Sequence, residues 1–278
     1  MKNKWYNICV ILILLTCFTT GCNKKNTDTD VNSKKEQDDW KYSTAYTVCD
    51  AYIPDNCTFG LEIPYVYNGE WENIELVEAI GENITRADIR LAVDKEDELP
   101  DVKYDSYKIG GIGLIVSPYE DCEVKITDLI IKVGSEEKKI HFEHELHFTN
   151  FATPDSLSGV GALLFTTSMN DNADETNELV FPLSTDENIT VTGISSRGNY
   201  DFTLENGSFP IQLSAGEGYE FDVIASRKED AWYSINNFIV EYEDEDGNSG
   251  EYVYAFSNTF DYSDDDAVEE LIKNILGV

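Results

Sequence analysis

The two halves of this sequence resemble each other in three blocks that occur in the same order. The blocks pair residues 75–77 with 178–180, residues 82–85 with 187–190, and residues 115–133 with 224–242. The separation between matched residues increases along the chain, as loop insertions would cause. Such self-similarity indicates a duplicated structural unit. We therefore predict two copies of about 105 residues each, which disfavours a single undivided fold.

The hydrophobic pattern inside both copies is that of β-strands. Apolar residues occupy every second position in Ile112, Leu114 and Val116, in Leu129, Ile131 and Val133, in Tyr219, Phe221 and Val223, in Phe238, Val240 and Tyr242, and in Ile89, Leu91 and Val93. A strand with this alternation buries one face and leaves the other in solvent. Asp246 and Gly247 separate two such segments, which predicts an antiparallel hairpin.

Short strands at turn-separated intervals, in a unit of about 100 residues, are typical of a two-sheet sandwich. The repeat resembles immunoglobulin-like domains in architecture, without the cysteine and tryptophan landmarks of antibody domains. We predict an all-β protein with two tandem immunoglobulin-like β-sandwich domains, at residues 40–150 and 151–262. Residues 263–278 combine acids at their start with apolar residues at helical spacing. This pattern predicts a short C-terminal amphipathic helix that packs on the second domain, with a partner-binding helix as the alternative.

Residues 1–21 have the features of a signal peptide. Lys2 and Lys4 precede an apolar stretch, and small residues lead up to Cys22. The segment resembles a bacterial lipoprotein signal, which implies cleavage before Cys22 and a lipid on that cysteine. An ordinary secretory cleavage and an uncleaved anchor are the alternatives. The resemblance places the protein at the outer face of the bacterial cell membrane, with the polar residues 22–39 as a disordered tether.

The charge of the chain excludes one class of function. Asp and Glu number 54 against 20 Lys and Arg, a formal net charge of -34, while 41% of the residues are hydrophobic. The chain can therefore bury proper cores, but its surface repels nucleic acid and anionic lipid. We expect attachment to the membrane only through the lipid on Cys22, a protein or glycan partner, and no nucleic-acid binding. The oligomeric state stays open.

Three cysteines other than Cys22 belong to the predicted domains. Cys49 and Cys57 are close enough to form a disulfide across a turn in a compartment that permits oxidation, with buried free thiols as the alternative. Cys122 corresponds to Ala231 in the repeat, and we expect it to be structural.

All three histidines lie in residues 141–147, a concentration that suggests zinc ligands. In a regular strand, however, His141 and His147 would be about 20 Å apart, at roughly 3.3 Å per residue. The same alternation places His144 on the face of Phe142 and Leu146. We therefore predict a solvated strand face with no metal and no cofactor. Residues 244–248 resemble a fragment of a calcium loop but lack its distal glutamate, so we predict a charged hairpin tip.

Trp232 and Tyr233 are the candidate ligand-binding residues. Their equivalents in the first copy are Glu123 and Val124, which suggests an exposed position at 232 where an aromatic ring could stack on a sugar or anchor a partner. Packing against the other domain is the alternative.

The sequence contains no convergent catalytic set. We therefore predict a lipid-anchored binding or assembly protein that is not an enzyme. One alternative is an accessory carbohydrate-binding lipoprotein that uses Trp232 and Tyr233. The other is a metal-dependent hydrolase centred on Glu143, His144 and His147.

Overall fold

The computed structural model describes residues 40–55, 59–93, 102–120, 122–159, 162–167, 176–229, 231–260 and 262–278. For residues 162–167, 176 and 177 it describes the backbone alone. The predicted signal peptide, Cys22, the tether and Cys57 lie outside the described residues.

The first half of the chain forms two facing sheets. Its strands are β1 Lys41–Tyr42, β2 Thr47–Pro54, β3 Gly60–Asn68, β4 Ile74–Glu82, β5 Ala87–Val93, β6 Lys103–Tyr104, β7 Tyr107–Pro118, β8 Glu123–Val133 and β9 Glu136–Phe151. One sheet has the order β1, β3, β7, β5, with β6 also paired to β7. The other has the order β2, β9, β8, β4. β2 runs parallel to β9, and the remaining neighbours are antiparallel.

The second half repeats this arrangement. Its strands are β10 Leu157–Gly159, β11 Ala162–Thr167, β12 Thr176–Thr185, β13 Ile189–Arg197, β14 Tyr200–Leu204, β15 Ile211–Leu213, β16 Gly218–Arg227, β17 Tyr233–Asp244 and β18 Ser249–Phe260. One sheet has the order β10, β12, β16, β14, and the other contains β11, β18, β17 and β13, with β15 paired to β13. β11 runs parallel to β18, as β2 does to β9. The fold is therefore all-β, with two tandem immunoglobulin-like sandwiches.

The common strand order agrees with a duplication but corrects two of the three matched blocks. Residues 115–133 and 224–242 cover β7 with β8 and β16 with β17, which hold equivalent positions. Residues 75–77 lie in β4, whereas residues 178–180 lie in β12, the counterpart of β3. Residues 82–85 come at the end of β4, whereas residues 187–190 come at the start of β13, the counterpart of β4. The first two blocks are therefore not structural equivalents. They are only three and four residues long, and chance produces such matches in a chain so rich in acids.

The alternating pattern identifies the core residues correctly. Ile112, Leu114 and Val116 are buried in the first core, and Phe221 and Val223 in the second. The predicted hairpin is also present, because β17 and β18 pair antiparallel around a turn that contains Gly247 at φ 80°. A positive φ of this size favours glycine.

The two sandwiches share one sheet, because β17 also pairs with β2 and joins their sheets into a nine-stranded whole. Ile235 of β17 lies directly opposite Cys49 of β2, and both contact the first core. Phe238 lies three residues further along β17, so its side chain points to the opposite face of the sheet and enters the second core. The two cores therefore lie on opposite faces of a continuous sheet.

The C-terminal helix α1 covers Asp265–Leu276, as the sequence predicts. The Asp264 side chain accepts from the backbone N–H groups of Asp266 and Ala267, and Gly277 ends the helix in the left-handed region. The expected docking on the second domain is wrong. Val268, Leu271 and three other buried residues of the helix pack into the first core, because Tyr262 directs the chain back across β3. Within the described ranges, no helix has the length and apolar character needed to cross a bilayer.

Candidate functional site

The junction between the sandwiches begins with backbone pairing. Residues Tyr233, Ser234 and Ile235 of β17 pair in parallel with Thr47, Val48 and Cys49 of β2. The backbone N–H of Tyr233 also donates to the carbonyl oxygen of Tyr46 (3.0 Å). As a result, β2 of the first sandwich lies between β9 and β17 of the second sandwich in one sheet.

The side chain of Asn237 continues this pairing where the backbone ladder ends. Its Oδ1 accepts from the backbone N–H of Tyr52 (2.7 Å), and its Nδ2 donates to the carbonyl oxygen of the same residue (2.9 Å). Asn237 is 0% exposed. A side-chain amide thus takes the place of a peptide group and satisfies both backbone groups of Tyr52, which matters because unpaired buried polar groups are costly.

Arg197, at the end of β13, adds a charged contact to the same strand. Its Nε and Nη2 both lie 2.7 Å from Oδ1 of Asp50. Its guanidinium carbon lies 4.4 Å from the centre of the Tyr52 ring, a cation–π arrangement. β2 is therefore held by backbone, amide and guanidinium groups of the second sandwich.

A hydrogen-bonded chain of three side chains lies inside the molecule beside this junction. The Tyr262 hydroxyl donates to Oε1 of Glu62 (2.5 Å) and accepts from the Tyr233 hydroxyl (2.8 Å). Burial, together with the nearby Glu62 carboxylate, raises the pKa of both tyrosines well above the ordinary value. Both hydroxyls therefore stay protonated and donate at neutral pH.

The expected exposure of Trp232 is wrong: Trp232 packs on the other domain, as the alternative has it, and Tyr233 beside it is buried too. They are 4% and 0% exposed, and the Trp232 ring stacks on Tyr46 with centroids 3.7 Å apart. The equivalent Glu123 is exposed, because no described part of the second sandwich packs at that position. The second copy meets the first sandwich there, so residues at the two equivalent positions have different surroundings. Neither ring presents a free face on which a sugar could stack.

A groove of about 200 Å³ opens at the junction. It is lined by Val48, Cys49, Asp50, His144, Glu145, Gly198, Asn199, Lys228 and Glu229. These residues come from β2 and β9 of the first sandwich and from the β13–β14 turn and the β16–β17 loop of the second. We call it the junction groove. It carries both signs of charge and exists only while the two sandwiches are docked.

The cysteines of the described residues are buried. Cys49 lines the junction groove with a free thiol, and its Sγ donates to the carbonyl oxygen of His147 (3.3 Å). Burial, followed by the charge of Asp50, raises the pKa of this thiol well above its ordinary value, so it is a poor nucleophile at neutral pH. Because the Cys49 thiol is free, the structure does not contain the predicted disulfide with Cys57, a residue that lies outside the described ranges. Cys122 is buried as expected.

The histidines do not converge. Four residues of β9, Phe142 to Glu145, lie opposite Thr127 alone in the ladder with β8. This bulge turns His144 outward, so its predicted position on the face of Phe142 and Leu146 is wrong. His147 Nε2 contacts Oε1 of Glu145 (2.7 Å). The described part of the chain holds no group of three or more potential metal ligands, so Glu143, His144 and His147 do not converge there as such a group.

His141 instead belongs to an ion cluster around Asp128. The carboxylate of Asp128 is nearly buried and lies 2.8 Å from His141 Nδ1 and 3.0 Å from Lys139 Nζ. Desolvation by itself would raise the pKa of Asp128. Hydrogen bonds from Lys139, His141 and Thr127 outweigh desolvation and lower that pKa.

Asp244 closes the turn at the tip of the β17–β18 hairpin through its side chain. Asp244 Oδ1 accepts from the backbone N–H groups of Asp246 (2.9 Å) and Asn248 (2.8 Å), and its Oδ2 accepts from the Asn248 side chain (2.8 Å). These bonds, led by the one from the Asn248 side chain, lower the pKa of Asp244. Its carboxylate oxygens therefore act as turn acceptors, as the predicted charged tip requires.

Comparison with known proteins adds no family. No protein-family model matches the chain, and no curated protein matches it. A solved structure of a protein of unknown function from Porphyromonas gingivalis W83 shares 8% identity, with 78% of this chain and 98% of that one covered and a TM-score of 0.26. The Yersinia pseudotuberculosis adhesin InvE shares 8% identity over 78% of this chain and 60% of its own, with a TM-score of 0.20. The human Desmocollin-1 ectodomain shares 8% over 81% of this chain and 41% of its own, with a TM-score of 0.23.

Proposed function

We propose that this protein is a lipid-anchored, extracytoplasmic binding or assembly protein without catalytic activity, and that the junction groove is its binding site. The observation that carries the proposal is the composite origin of the groove. Its lining comes from both sandwiches and includes β2, the strand that β17, Asn237 and Arg197 hold in place.

A groove with fixed walls favours binding because less conformational entropy is lost when a partner docks. Two sandwiches on a flexible linker would instead present their surfaces at variable distances. Here the linkage is a continuous sheet. The groove offers Lys228 and His144 beside Asp50, Glu145 and Glu229, a mixed-charge lining suited to a polar surface of a protein or glycan.

Photo-crosslinking in intact cells tests the site. A photoreactive amino acid replaces His144 in the groove or, as the matched control, Glu137, which is exposed on the same strand away from the groove. We expect crosslinks to a discrete partner from position 144 and few from position 137. The Arg197→Ala and Asn237→Ala double variant should lose them. Equal crosslinking from both positions, or purified protein with substrate turnover that a groove substitution abolishes, would contradict the proposal.

We further propose that the lipid on Cys22 holds the folded part at the outer face of the membrane. The net charge of the chain would keep that part away from acidic headgroups. Metabolic labelling with a radioactive fatty acid tests the anchor. The Cys22→Ser variant should lose the label and leave the membrane fraction, whereas Cys17→Ser, which changes another cysteine of the same N-terminal segment, should keep both. A labelled Cys22→Ser protein would refute lipidation at this residue.

A further inference from the structure

The turn between β14 and β15 contains an asparagine followed by a glycine. Asn206 and Gly207 are both exposed, and Gly207 has φ 106°. Neither residue belongs to a strand, and the Asn206 side chain makes no hydrogen bond to any residue that the structure describes. The Asn206 side chain is therefore free to rotate towards the following peptide group.

We propose that Asn206 is a site of spontaneous deamidation. The backbone nitrogen of Gly207 attacks Cγ of Asn206. A C–N bond forms to close a five-membered succinimide, and the bond from Cγ to Nδ2 breaks, so that ammonia leaves with the proton of the Gly207 amide. Water then opens the ring at either carbonyl and yields aspartate or isoaspartate. The step consumes one water, releases one ammonia and involves no oxidation. Glycine permits the attack because it has no side chain to obstruct it.

A second asparagine–glycine pair in the chain provides an internal contrast. Asn68 precedes Gly69, but it is the last residue of β3 and pairs with Tyr107 of β7. Ring closure requires a rotation at the asparagine backbone that a paired, extended residue cannot make without opening the ladder. Local opening of a strand costs free energy, whereas an exposed turn samples such conformations readily. The two pairs share the same chemistry and differ in backbone restraint.

Three other exposed asparagines are held by their side chains. Asn248 donates to Asp244 (2.8 Å), and Asn83 donates to the carbonyl oxygen of Glu123 (2.9 Å). Asn188 donates to Glu245 and accepts from the backbone N–H of Ala215 (2.8 Å). None of these three is followed by glycine. Asn206 therefore combines the reactive dipeptide with a free side chain.

The product adds a negative charge far from any cation of its sandwich. Residues 151–262 contain only three basic residues, Arg197, Arg227 and Lys228, and all three lie at the end of that sandwich nearest the junction. Asn206 lies beyond Leu204, at the other end of β14 from Arg227, which pairs with Tyr200. The modification lies outside the junction groove, so it does not depend on the function proposed above.

Incubation of the purified full-length chain in neutral buffer, followed by peptide mapping and isoaspartate detection, tests the proposal. We expect Asn206 to convert about tenfold faster than Asn68 in the folded protein, because Asn68 must first leave its strand. In denaturant the two rates should become similar. The Asn206→Gln variant should stop the slow appearance of a more acidic species on ion exchange, and Asn68→Gln should not.

Two results would overturn the proposal. One is equal conversion of Asn206 and Asn68 in the folded protein. The other is an acidic species that forms at the same rate in Asn206→Gln as in the unsubstituted chain.

Discussion

Asn237 joins the two sandwiches through a single side chain. It is fully buried, and its side chain bonds to both backbone groups of Tyr52, 185 residues away in sequence. No local pattern could reveal that partner, because the alternation around Phe238 only places position 237 on the opposite face. For the same reason the sequence left two alternatives for Trp232, ligand contact and packing on the other domain, because its partner Tyr46 is distant in sequence.

Asn237→Ala should lower the free energy of unfolding by about 2–4 kcal/mol, because it leaves the N–H and C=O of Tyr52 unpaired in a buried site. Urea denaturation measures the change. Asn73→Ala is the matched control: this asparagine is exposed and its amide donates to exposed Glu75, so the expected change is within about 0.5 kcal/mol. Equal effects of the two substitutions would show that Asn237 is not a structural link.

Protonation of the Asp128 carboxylate in acid should lower the stability of the first sandwich. Its pKa in the folded protein is lowered, so its contribution to stability is present above the unfolded-state value of about 3.9 and disappears as the pH falls through the folded-state pKa. Urea midpoints measured between about pH 5 and about pH 2 should therefore fall less in Asp128→Asn than in the unsubstituted protein. Asp88→Asn, at an exposed site, should follow the unsubstituted profile. A steeper acid loss in Asp128→Asn would contradict the lowered pKa.

Strands were predictable where one face is buried and the other solvated. That condition holds best in β8 and β16, where buried apolar residues alternate over much of the strand with more exposed ones. It fails in β17, where Tyr233 to Val240 are all buried because both faces of the strand are covered at the junction. The bulge in β9 was not predictable either. Alternating hydrophobicity indicates which face a residue lies on, but it does not indicate which residue of the neighbouring strand lies opposite. Helix α1 was predictable from its caps and apolar spacing, but its docking surface depends on the path of the preceding chain.

Leu271→Ala should test the docking of α1. Leu271 is 0% exposed in the first core, so the cavity should lower the free energy of unfolding by about 2–5 kcal/mol. The exposed Glu270→Ala control should change it by no more than about 0.5 kcal/mol. Hydrogen exchange locates the effect: protection should fall in β3 and β7, which contact the helix. A fall confined to β12 and β16 would place the helix on the second sandwich.

For the molecule as a whole, the sequence predicted two similar β-sandwiches but not the sheet they share. The repeat reveals what the halves have in common, whereas the junction depends on how they differ. Arg197, Asn237 and Trp232 belong to the second sandwich, and their partners Asp50, Tyr52 and Tyr46 belong to the first. The junction groove could not be predicted either, because its walls come from segments distant in sequence.

Distance measurement by pulsed electron spin resonance tests whether the two sandwiches form one rigid body. Spin-labelled amino acids replace Glu137 on β9 and Glu220 on β16, which are exposed on different sandwiches. The shared sheet predicts a single narrow distance distribution that broadens in the Arg197→Ala and Asn237→Ala double variant. A broad distribution in the otherwise unsubstituted protein, unchanged in the double variant, would show that the sandwiches move independently and that the junction groove has no fixed walls.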